Sequence, residues 1–216
     1  MTRDEFVLTM ADAVDRRRQE ISLILRVVSN SHGSVLEQTA SVMALPVLYA
    51  HWEGFVKEAV GEYIEFVERQ RLIPSQAHPT IFSFAMKKQL RGLISSGSVE
   101  RMTNFATWVI SAAVAPVCFD DKSIVTGGNL SFKNLKELCD SLKIDVLRLD
   151  SDRRKIDALV NRRNNVAHTG RVQRFDRADV ADDAALVIGL IETFEAILIE
   201  CVDAKQYRLP ELALDD

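Results

Sequence analysis

The 216-residue sequence lacks the features of a secreted, membrane-spanning or metal-bound protein. It has three cysteines, Cys118, Cys139 and Cys201, odd in number, widely spaced and without nearby histidines. That argues against a disulfide framework, offers no zinc-ligand spacing and suits a reducing compartment. No stretch provides the roughly 20 consecutive apolar residues that span a bilayer. The N-terminus, Met1-Thr-Arg-Asp-Glu-Phe6, is charged where a secretory leader would be apolar. A cytoplasmic protein with no membrane partner is expected. Internal repeats and low-complexity tracts are missing too, and the apolar/polar alternation of half-buried strands is almost absent. A hydrophobic content of 47% over this length can bury a full core without staples. The reading is one domain over 1–210 with an acidic tail at 211–216, and two small domains stand as the alternative.

What is present is helical periodicity. Thr2 with Glu5 forms a capping box that opens a first helix with an apolar stripe of Phe6, Met10, Ala13, Ile21, Ile24 and Val28. The 29–33 run, Ser-Asn-Ser-His-Gly, breaks it. Ser34 with Glu37 repeats the capping pattern before a long second helix to about Gln70, kinked at Pro46. Beyond the prolines at 74 and 79, two shorter helices are expected over 80–94 and 98–114. The 115–130 stretch, with Pro116 and Gly127-Gly128, is irregular and suits a short hairpin or a mobile loop. Helices resume at 131–142, at 151–168 and, from the N-cap Asp176, at 176–204. The fold class is all-α, a helical bundle with additional N-terminal helices.

Charge is unevenly spread. The whole chain carries −4, yet Arg148 to Arg177 holds nine basic residues against four acidic ones, leaving 18 basic and 27 acidic residues elsewhere. An acidic body therefore presents one basic segment, the natural place for a phosphate-bearing ligand.

That segment contains the most unusual local pattern, Arg162-Arg-Asn-Asn-Val-Ala-His168. On a helical wheel, Leu159, Val160, Val166 and Ala167 fall within about 80° of Ile156 and define a packed face, with Arg163 at about −20° in its midst. A guanidinium there cannot be left dry and unpaired, so the face must open onto a cleft, a partner subunit or an acidic partner. Asn164 and His168, four residues apart, are neighbours on one edge. A forked cation, an orienting amide and an imidazole that titrates near neutrality are the groups that RNA cleavage requires.

Arg163-Asn164-x-x-x-His168 resembles the R-x4-6-H signature of HEPN domains, whose arginine is commonly followed by a polar residue. The stretch Trp52-Glu-Gly-Phe-x-Lys57 is similar to a second motif of a bacterial branch that includes the RiboL-PSP-associated group. The resemblance runs over about 34–202, and Thr169 departs from it by separating His168 from Gly170. It implies a dimerising bundle with the arginines and histidines of both protomers in one cleft. It also implies metal- and cofactor-independent endonucleolytic cleavage of RNA, with Arg163 and His168 catalytic. Asn164, Arg162 and Arg171 are the candidates for holding the substrate. By analogy alone, a toxin or defence effector with an antitoxin or defence-system partner is implied.

The alternatives are a HEPN module that binds RNA, a nucleotide or a protein without cleaving, and a helical adaptor in which an internal carboxylate satisfies Arg163. Elsewhere ordinary roles are expected. Asp150-Ser-Asp152 reads as a helix start, Asp120-Asp121 and Asp182-Asp183 as solvated surface, and Gly127-Gly-Asn129 as a turn. His32 and His78 are expected in exposed loops, His51 and Trp52 in core or interface. Glu53 and Lys57 can pair with each other, and Arg16-Arg-Arg18 forms a solvated face that could extend an RNA groove.

Overall fold

The computed structural model describes residues 1–94, 98–119, 129–169 and 175–210, and among them the regular structure is helical. The helices are α1 (Arg3–Asn30), α2 (Glu37–Arg69), α3 (Pro79–Ala85), α4 (Lys87–Ile94), α5 (Val99–Ala112), α6 (Phe132–Ser141), α7 (Arg153–Thr169) and α8 (Arg177–Asp203). A 3-10 turn, Leu147–Asp152, leads directly into α7. The architecture is the expected all-α bundle.

Three long helices, α1, α2 and α8, pack on one another, and α7 lies against α2. The centre is α2, which buries residues around most of its circumference, among them Tyr49, Trp52, Phe55, Val56, Tyr63 and Ile64. A helix apolar nearly all round belongs inside a core. Trp52 meets Phe194 of α8 edge-on, ring centroids 6.1 Å apart. Pro46 lies inside α2, and Tyr49, Trp52 and Glu53 follow it on the same helix.

Local capping explains most helix starts. The Thr2 hydroxyl accepts from Glu5 N at 3.2 Å while Glu5 accepts from Thr2 N at 2.7 Å. Asp176 and Asp179 make the same reciprocal arrangement at α8. At α2 the expected box does not form: the helix starts at Glu37, whose carboxylate instead takes Gly33 N and His32 Nδ1, both at 2.8 Å. Gly33 sits at φ +72, and that left-handed turn aims its N–H at Glu37. The single helix expected over 80–94 is two, separated at Met86, and α5 ends at Ala112, before the expected 114. His78 is not an exposed loop residue but the half-buried N-cap of α3, its Nδ1 accepting from Thr80 N at 3.3 Å.

The C-terminal segment is tied back by His78 N to Tyr207 O at 2.8 Å and Leu209 N to Gln76 O at 2.9 Å. Residues 120–128, the heart of the expected hairpin or loop, and the 211–216 tail lie outside the described residues. No described helix is long and apolar enough to cross a membrane. The cysteines are unbridged, Cys139 and Cys201 buried and Cys118 exposed.

Candidate active site

The α7 helix buries Ile156, Leu159 and Val160 and then lifts away from the core: Val166 is half-buried, and Ala167 and His168 are exposed. The packed face drawn on the wheel is therefore real up to Val160, while Ala167 falls outside it. Arg163 sits at that transition, with 21% of its side chain exposed. Its guanidinium lies 4.4 Å from the centre of the Tyr49 ring, and its Nη2 is 3.6 Å from Oε2 of Glu53. Nη1 donates to Asn164 Oδ1 at 3.0 Å. The requirement for an acidic partner is met from α2.

The two sequence motifs thus meet in space. Glu53, with a side chain only 12% exposed, faces Arg163 on one side and Lys57 Nζ, at 2.8 Å, on the other. The Tyr49 hydroxyl accepts from Leu130 N at 2.6 Å, which anchors the ring beneath the guanidinium. Burial raises the Tyr49 phenol above its ordinary pKa, with Leu130 N opposing and Glu53 adding to the rise, so the ring is neutral at physiological pH. A neutral aromatic face attracts a cation through its quadrupole. Tyr49 and Glu53 are the site residues that sequence reasoning missed. The signal was there, since Glu53 belongs to the second motif and a cation on an apolar face demanded a carboxylate.

His168 occupies the last turn of α7, exposed, one turn beyond Asn164 on the same edge. Arg163 and His168 are separated by about 7.5 Å along the helix axis, which a long side chain can bridge toward a shared ligand. Arg171 lies outside the described residues.

Arg162 points elsewhere. It pairs with Asp183 of α8, a buried carboxylate, and so joins α7 to α8 rather than facing Arg163. Burial raises the Asp183 pKa against the opposing pull of Arg162. Asp183 is accordingly not the solvated surface residue expected, although Asp182 is exposed.

Much of the basic segment is likewise engaged internally. Arg148 pairs with Glu200 at 2.5 Å, Lys155 with Asp152 at 2.8 Å, and Arg153 lies over the Phe132 ring. The local positive excess is therefore smaller than the residue count suggests.

A second ionic group locks α1 to α2. Arg16 and Arg17 both pair with Glu58, and Arg18 reaches Glu192 of α8 at 2.7 Å, so this triplet is spent on helix packing. Gly54 of the second motif lies under Arg17: a Cβ there would stand 3.4 Å from its Nη2. His51, half-buried beside Arg17 and 3.5 Å from Glu20, has its pKa lowered, chiefly by burial and then by Arg17. Among the described residues no cluster of histidine, cysteine or carboxylate groups has the makings of a metal site.

The all-α bundle thus carries Arg163-Asn164-x-x-x-His168 on α7, with the arginine against Tyr49 and Glu53 of the central helix α2. The chain belongs to the MAE_28990-like HEPN family, whose family model matches residues 6–207, from α1 to just beyond α8. No curated protein and no solved structure matches it.

Proposed function

We propose that the protein is a metal-independent endoribonuclease working as a homodimer, with Arg163 and His168 as its catalytic residues. The observation that carries this reading is the fixation of Arg163. Tyr49, Glu53 and Asn164 hold its guanidinium at the edge of the core, five residues before the exposed His168 on the same helix. A preorganised cation beside an accessible imidazole suits attack of a ribose 2'-hydroxyl on the adjacent phosphorus. The 2'-oxygen bonds to phosphorus, the bond to the 5'-oxygen breaks, and the 2'-hydroxyl proton passes to His168. The departing 5'-oxygen takes a proton from the second imidazole of the dimer cleft. Arg163 offsets the negative charge that builds on the phosphoryl oxygens.

The dimer surface proposed is the exposed stripe in the N-terminal half of α2, where Met43 and Val47 are 59% and 43% exposed and Leu36 continues it at the N-cap. A second copy placed there buries apolar surface.

The Arg163–Glu53 pair also favours a second reading, the helical adaptor in which an internal carboxylate satisfies Arg163. Incubation of the purified protein with mixed cellular RNA in EDTA, with end mapping, separates the two. Fragments ending in 2',3'-cyclic phosphate or 3'-phosphate, with 5'-hydroxyl partners, are expected. Intact RNA that is not retained in a gel shift would favour the adaptor, and intact RNA retained in a salt-sensitive manner would favour a module that binds without cutting.

A further inference from the structure

Away from the α2–α7 site, a slot of about 480 Å³ opens between α7 and α8. That volume falls within the range of small-molecule sites. Its two walls carry opposite charge: Arg154, Lys155 and Arg162 line it from α7, and Asp182 and Asp183 line it from α8, with the half-buried Leu186 as apolar lining. One bridge joins the walls, Arg162 Nη2 donating to Asp183 Oδ1. The rest of that pair is unsatisfied. Asp183 is only 7% exposed, and among the described residues its buried Oδ2 accepts no hydrogen bond and the buried Arg162 Nε donates none. A buried acceptor and a buried donor left unpaired cost free energy, which a ligand offering one donor and one acceptor recovers. Lys155 is engaged by Asp152 at 2.8 Å, but Arg154 and Asp182, both exposed, have no ion-pair partner among the described residues. They flank the slot from opposite walls without meeting. A ligand of one charge suits one wall and opposes the other, whereas a ligand carrying both charges suits the two together.

We propose that this slot binds a small zwitterion, its ammonium toward Asp182 and Asp183 and its carboxylate toward Arg154 and Arg162. The ammonium supplies the donor that Asp183 Oδ2 lacks, and the carboxylate supplies the acceptor that Arg162 Nε lacks. Leu186 gives an aliphatic body a surface to rest on. Neither the RNA-cleaving reading nor the adaptor reading requires such a site, and it stands or falls apart from both.

The test is calorimetric titration of the full chain with L-leucine, whose two charges are adjacent, and with 6-aminohexanoate, whose charges are far apart. Leucinamide and 4-methylpentanoate, which keep only the ammonium or only the carboxylate, are titrated beside them. The variants are Arg154→Gln and Asp182→Asn, which remove one charge from either wall, and Ala185→Trp, which fills the slot, all at exposed positions and checked for folding by circular dichroism. Saturable binding of a zwitterion is expected, and the one that binds better reports the spacing of the two walls. Loss of either ligand charge, or Ala185→Trp, should weaken it about tenfold or more, and each single-charge variant about threefold or more. Equal affinity for the zwitterions and their singly charged analogues, indifference to all three variants, or no saturable binding of either zwitterion would overturn the proposal.

Discussion

Glu53→Gln isolates what the second motif does for the first. The substitution keeps shape but removes the charge that faces Arg163 at 3.6 Å, leaving the guanidinium its contacts with the Tyr49 ring and Asn164. Exposed ion pairs are worth about 0.2–1 kcal/mol, and breaking a fully buried one costs about 3–5 kcal/mol. With side chains 21% and 12% exposed, this pair lies between those limits. Glu53→Gln should therefore destabilise the fold by about 2 kcal/mol. Arg163→Ala should cost slightly less, because Glu53 then keeps Lys57 at 2.8 Å. A double-mutant cycle by urea unfolding should return a coupling of about 1–2 kcal/mol. In cleavage assays Arg163→Ala should lose about 10²- to 10³-fold in kcat, the usual consequence of removing a preorganised charge-stabilising group. Glu53→Gln should lose less, since the cation remains and only its placement suffers. A coupling below about 0.3 kcal/mol, the level at which independent sites add, would refute the claim that Glu53 fixes Arg163.

Three further outcomes follow from other parts of the molecule. Gly189 is exposed in the middle of α8, and a Cβ there meets nothing within 4 Å, so Gly189→Ala should stabilise by about 0.5–1 kcal/mol through helix propensity, read as a rise in Tm. Burial and Arg17 hold the His51 pKa below 6.5 in the fold against the pull of Glu20, so the unfolded chain binds its proton first as pH falls. Stability should thus be full above about pH 6.5 and decline below it, and His51→Gln should flatten that slope in urea titrations between pH 7 and 5. Met43→Glu/Val47→Glu should turn a dimer into a folded monomer by light scattering at micromolar concentration and abolish cleavage; a monomeric wild type with full activity would contradict the composite site.

Helix identity was legible because capping and periodicity are local. Thr2 with Glu5 and Asp176 with Asp179 form the boxes that their three-residue spacing foretells. Ser34 with Glu37 has the same spacing and fails, because a left-handed Gly33 offers Glu37 a competing N–H. The break at Met86 carries no glycine or proline to announce it. At the site, the wheel required a partner for Arg163 but could not say which carboxylate, since that choice depends on how α7 packs on α2. Arg162 shows the converse: adjacent to Arg163 in sequence, it points about 100° away and finds Asp183 on α8. Counting charges along the chain could not reveal that Arg148, Lys155 and Arg162 already face carboxylates.

The most direct test of the central claim is single-turnover cleavage of end-labelled RNA in EDTA by wild-type protein and by His168→Ala, whose exposed position spares the core. The account predicts that His168→Ala keeps wild-type stability and RNA affinity while cleavage falls about 10²- to 10⁴-fold. Equal cleavage by the two proteins, or none above background from either, would contradict it.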